Sequence, residues 1–121
     1  MCSTRVVDCM TRKILASKVE LADTFWQRFR GLMFRQNFCD GEALVFEPKS
    51  GLQNIHTFFM MFSIDVIFLD SNFLVIEICQ KLKPWRIHRS KIKASYIIEL
   101  HAGTISHTNV KIGHKLALRK A

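Results

Sequence analysis

At 121 residues the chain has room for one domain with a substantial core and little else. Apolar residues at 49% and charged residues at 23% exclude a wholly disordered polymer. No apolar run reaches the roughly 18 residues that cross a bilayer as a helix, because His56 and Asp65 interrupt the longest, so an integral membrane protein is not expected.

The formal net charge of +8 is unevenly placed: up to Gln80 there are 8 Lys/Arg against 9 Asp/Glu, and from Lys81 onward 10 against Glu99 alone. The last third therefore suits an acidic partner, whether protein, nucleic acid or an anionic lipid surface, or else forms a solvated basic face. Cys2, Cys9, Cys39 and Cys79 form no C-x-x-C pair and read as reduced thiols. The first residues lack the apolar stretch of a secretory leader, so a cytoplasmic chain is expected.

Thr4–Asp8 and Lys13–Leu21 read as strands, the second by its strict alternation of side chains. Asp23 or Thr24 can cap a principal helix over about residues 24–34, whose Phe25, Phe29, Leu32 and Met33 share one face. Asn37–Glu42 is a turn marked by Asp40-Gly41, and Ala43–Phe46 a short strand. Gln53–Met60 and Ile64–Leu69 follow as strands. Ser71-Asn72 then connects tightly to Phe73–Cys79, which makes Ile64–Cys79 a hairpin. Lys81–Lys93, broken by Pro84, is a loop or an edge strand. Ala94–Leu100 is a strand, Gly103–Asn109 holds one helical turn, and Lys115–Leu118 closes the chain. The expected fold is mainly β (α+β): a small antiparallel barrel-like domain with one principal helix packed against it.

Four stretches together resemble the family catalogued as domain of unknown function 192. They are Ala22-Asp23-Thr24 through Arg30-Gly31-Leu32-Met33-Phe34-Arg35; Gly41-Glu42-Ala43-Leu44-Val45-Phe46; Ile55 through Asp70; and Leu82-Lys83-Pro84-Trp85-Arg86 with Ile98-Glu99-Leu100-His101-Ala102-Gly103. The third stretch is the specific one. The resemblance implies a small, mostly β, closed or nearly closed barrel-like domain of bacteria and archaea, and brings with it no reaction, cofactor or ligand. The chain departs from the family pattern at Ser63 and His101, where Pro is usual, and at His114, where Asp is usual.

Asp65 is the sharpest residue, an acid inside Ile64-Asp65-Val66-Ile67-Phe68-Leu69. Burying an isolated carboxylate costs several kcal/mol, so it needs a partner, and Arg30 and His56 are the candidates. On one reading it is a strut tying the helix to the sheet. On the other, Arg30, His56, Asp65 and Met60 line a ligand pocket. His56 and the neighbouring methionines have no metal-ligand spacing, so no metal or cofactor is expected. In the basic segment, Lys81, Lys83, Arg86, Arg89, Lys91 and Lys93 surround Trp85, and phosphates could meet the cations while a base stacks on the ring. The leading expectation is a non-catalytic binding or accessory domain with a pocket near the buried carboxylate. A nucleic-acid-binding module using residues 81–93 is the alternative, and an enzyme built on an Asp–His–Arg cluster the third.

Overall fold

Alternating apolar side chains put much of the described chain into short strands, and the largest sheet they form carries an apolar cluster on each face. The computed structural model describes residues 4–22, 38–47 and 54–120. Its strands are β1 (Thr4–Asp8), β2 (Ile14–Ala16), β3 (Lys18–Ala22), β4 (Glu42–Phe46), β5 (Asn54–His56), β6 (Ile64–Leu69), β7 (Val75–Leu82), β8 (Ile87–Arg89), β9 (Tyr96–His101) and β10 (Leu116–Lys120). Among the described residues the helix is α1 (Thr104–Thr108). The helix expected at about residues 24–34 lies outside them.

The strands form a three-stranded sheet, β10-β1-β2, a five-stranded sheet, β3-β4-β9-β6-β7, and a two-stranded ribbon, β5-β8. The mainly β expectation holds. Barrel-like fits loosely, because the described strands make three sheets and no closed ring. Pairing is antiparallel except between β3 and β4, which run parallel. Lys13–Leu21 reads as one strand in the sequence but is two. The Ser17 and Lys18 amides both donate to the Gly41 carbonyl, at 2.8 and 2.9 Å, and pin a corner there. The chain leaves the three-stranded sheet at that corner and enters the five-stranded one, as strands do at sandwich corners.

The two apolar clusters occupy opposite faces of the five-stranded sheet. Ala43, Val45, Ile67, Leu69, Ile98 and Leu100 meet Val6, Leu15 and Leu116 of the smaller sheet and Ile105 of α1. Leu44, Ile64, Val66, Phe68 and Ile97 meet Phe38, Ile55 and Met60 on the other side. β6 is therefore buried along its whole length, which is why it reads as an unbroken apolar run. Truncating a ring such as Phe68 to Ala there costs about 3–5 kcal/mol.

The expected hairpin is the β6–β7 pair. Asp70 shapes its turn by accepting the Asn72 and Leu74 amides on Oδ1, at 2.8 and 3.0 Å, while Phe73 adopts φ 63°. The strand expected over Gln53–Met60 stops at His56. The Thr57 amide donates to the Arg86 carbonyl, and the Thr57 carbonyl accepts from Trp85 and Met60, which turns the chain out of the extended form.

Candidate functional site

Asp65 is fully buried on the face of β6 that meets the smaller sheet. Opposite it, the register of β7 slips by one residue, and the Lys81 amide, at φ 53°, is left over from the ladder. Asp65 Oδ1 accepts that amide at 2.8 Å. Its Oδ2 accepts the Gly103 and Ile105 amides at 3.1 and 2.8 Å. Gly103 sits at the N-cap of α1 with φ 96° and has no side chain to cap the first turn, so the carboxylate of β6 caps it from a distance. The partners that satisfy this acid are thus main-chain donors.

Of the other residues proposed to surround it, Arg30 lies outside the described residues. His56 is half-buried on β5; its Nδ1 accepts the Phe58 amide at 3.3 Å, and its ring lies 5.2 Å from that of Phe58. Met60 is a core side chain, packed with Phe38 and Ile55. Neither His56 nor Met60 is joined to Asp65 by a hydrogen bond or ion pair in the structure.

A second buried acid carries no such support. Glu99 on β9 stands across from Leu44 on one side and Val66 on the other, on the opposite face of the sheet. It is 4% exposed, its Oε1 has no hydrogen-bond partner, and burial pushes its carboxyl up to about 8. At neutral pH it is mostly a neutral acid. Sequence reading passed over it, because Ser95, Ile97 and Glu99 alternate as a solvent-facing row would.

A cleft of about 200 Å³ opens where β2, the Asp40-Gly41 turn and α1 meet. Ile14, Leu15 and Ala16 form one wall; Ser17, Asp40, Thr104, His107 and Thr108 supply polar groups. The Thr108 hydroxyl donates to the Thr104 carbonyl at 2.7 Å, while the buried Thr104 hydroxyl has no partner. Thr104 lies between Gly103 and Ile105, whose amides Asp65 holds, so the buried carboxylate fixes one side of this cleft.

The basic segment is drawn against the chain around Thr57, which is fully buried. The Thr57 hydroxyl donates to the Lys83 carbonyl and accepts the Arg86 amide at 2.8 Å. This clamp sets Trp85 beside Phe59, ring centres 4.7 Å apart at 61°, and 5.9 Å from Phe58. The sequence offered a single ring; the structure groups three. Lys81, Lys83, Arg86, Arg89, Lys91 and Lys93 are all exposed.

At one position of departure from the family pattern, His114 Nδ1 lies 2.8 Å from Oδ2 of the buried Asp8, whose Oδ1 accepts the Met10 amide at 2.9 Å. Burial acts to raise the Asp8 carboxyl, but His114 and the amides outweigh it and hold the group below its ordinary value.

Comparison with known proteins gives a consistent answer. The model of the family described as uncharacterized ACR, domain of unknown function 192, matches residues 7–118. A UPF0127 protein of Thermococcus sibiricus is 41% identical over 105 residues, covering 86% of this chain and 68% of the relative. The UPF0127 protein PH1112 of Pyrococcus horikoshii is 45% identical over 103 residues, covering 82% and 85%. A crystal structure of a candidate transcription regulator from Sinorhizobium meliloti superposes with a TM-score of 0.84 at 23% identity, over 97% of this chain and 92% of that one, a likeness of fold alone. The chain belongs to the domain of unknown function 192 family, and the relatives named here carry the designation UPF0127.

Proposed function

We propose that this protein is a non-catalytic binding domain for a small amine-bearing molecule, taken up in the cleft beside α1. The observation that carries the reading is electrostatic. In a chain of net charge +8, the described residues that line the cleft include one carboxylate, Asp40, and no lysine or arginine. An ammonium group has three donors and needs acceptors, which Asp40 and the hydroxyls of Ser17 and Thr108 can supply. Ile14, Leu15 and Ala16 offer apolar surface to a short carbon chain. The volume suits a ligand smaller than the drug-sized molecules that fill roughly 300–1,000 Å³ pockets.

Asp65 supports this reading as a positioning residue. With its oxygens engaged by backbone amides, it holds the first turn of α1 in place rather than exchanging protons with a ligand. Titration of the labelled protein with butylamine, ethanolamine and 1-butanol tests the proposal. Amide shifts at Gly41, Thr104 and His107 are expected with the two amines, reduced at least tenfold in affinity by Asp40→Asn. Equal shifts with the neutral alcohol, or no shifts at those amides, would overturn it.

A further inference from the structure

The Phe59–Trp85 surface lies outside the cleft, and the argument for it is independent of the cleft. Trp85 is 55% exposed and Phe59 43%, although both are large rings, whereas Phe38 and Phe68 are buried. Both adopt left-handed backbone, with φ 62° at each, a conformation bulky residues rarely take. Such outliers persist when the surroundings hold them, and here the hydrogen bonds of Thr57 do so. The rings are therefore presented in a fixed arrangement.

The segment that carries Trp85 has charges of one sign. Residues 81–93 contain six lysines and arginines and no carboxylate. Glu77, the acid that approaches this segment, faces inward: its Oε2 lies 2.7 Å from His88 Nε2, and its Oε1 accepts the Lys91 amide at 2.8 Å. It steadies the ribbon without opposing an anion at the surface. Along β8 the side chains alternate, so exposed Ile87 and Arg89 share the outer face while half-buried His88 points toward Glu77 and Phe68. Exposed Arg86 follows Trp85 directly in the chain, and exposed Arg89 ends β8. Exposed cations that flank paired rings along the chain match phosphates with stacked bases better than the diffuse charge of a membrane.

We propose that Phe59, Trp85 and the outer face of the β5–β8 ribbon form a docking surface for single-stranded nucleic acid. Bases stack on the two rings, which accept any base because each has a π face, and phosphates meet Lys83, Arg86 and Arg89. Binding is salt-dependent and tolerant of sequence.

Fluorescence anisotropy with the full chain and labelled 15-mers of dT, rU and an abasic strand tests this, with vesicles of phosphatidylserine as a separate arm. The dT and rU strands bind, and their affinity falls with salt at a log–log slope of about −2, as three phosphate contacts at about 0.7 each imply. Phe59→Ala with Trp85→Ala weakens the dT strand at least tenfold and leaves the abasic strand unchanged. Arg86→Ala with Arg89→Ala weakens both. Trp85→Met, which keeps an apolar side chain without the ring face, reproduces the stacking loss, and an unchanged melting curve shows that the loss is not one of folding. Equal affinity for dT and the abasic strand, or indifference to the ring variants, overturns the proposal. Binding to vesicles without binding to any strand also overturns it and assigns the surface to lipid.

Discussion

Asp65 and Glu99 stand on neighbouring strands at the centre of one sheet, both removed from water, and their circumstances are opposite. Asp65 faces the smaller sheet with three main-chain amides on its two oxygens; Glu99 faces the other cluster with an oxygen that meets no donor. Burial is common to both, so burial alone does not decide what a carboxylate does. The number of donors reaching it does. The first acid fastens a β-bulge and a helix end to the sheet, whereas the second is held as a neutral acid by its apolar neighbours.

The largest test of this contrast is removal of the supported acid. Asp65→Ala leaves the amides of Lys81, Gly103 and Ile105 without their acceptor and is expected to cost about 3–5 kcal/mol in urea unfolding. Asp65→Asn, which keeps the shape but turns a donor toward those amides, is expected to cost more than about 1 kcal/mol. Unfolding midpoints equal to wild type would end the account of Asp65 as the brace of α1.

Glu99 predicts a pH dependence of unusual sign for an acid. Its folded-state value, about 8, lies above the ordinary 4.5, so the folded state retains a proton that the unfolded chain releases. That contribution is fully present below about pH 4.5, declines as pH rises, and is gone above about pH 8, a loss on the order of 5 kcal/mol. Urea midpoints across that range should fall in the wild type and stay nearly level in Glu99→Gln. A wild-type profile that is flat between pH 5 and 8 would place an unseen donor on Glu99.

Asp8 provides the intermediate case, buried like the others but paired with a side chain. Its carboxyl is depressed, so its contribution is present above the ordinary carboxylate range and lost as pH falls through the folded value. Asp8→Asn should therefore cost about 1–2 kcal/mol at pH 7, and progressively less as pH falls below the ordinary carboxylate range. The smallest effect is expected at Thr104, whose hydroxyl is buried without a partner. Thr104→Val should raise stability by about 1 kcal/mol, since removing an unpaired polar atom recovers its desolvation cost. Thermal unfolding distinguishes a gain from a loss.

Strands and hairpin were legible because alternation and turn residues are local signals. Asp65 was legible for a related reason, one acid standing out in an apolar run. Its main-chain partners were not, because a backbone amide carries no mark in the sequence; His56 was proposed since only side chains can be read there, and Arg30 lies outside the described residues. Glu99 was hidden by its own alternation, which a strand covered on both faces does not convert into exposure. The corner at Ser17 depends on the Gly41 carbonyl, distant along the chain, and Phe59 reaches Trp85 only because Thr57 binds a carbonyl 26 residues away. What was illegible in each case was long-range pairing.

That the acceptor of β6 grips main chain rather than side chains has a consequence for how the family's sequences can vary. Every residue type but one offers the same N–H at positions 81 and 105, so this hydrogen bonding does not by itself fix the side chain at either. Proline is the exception, because it would arrive with no hydrogen to give.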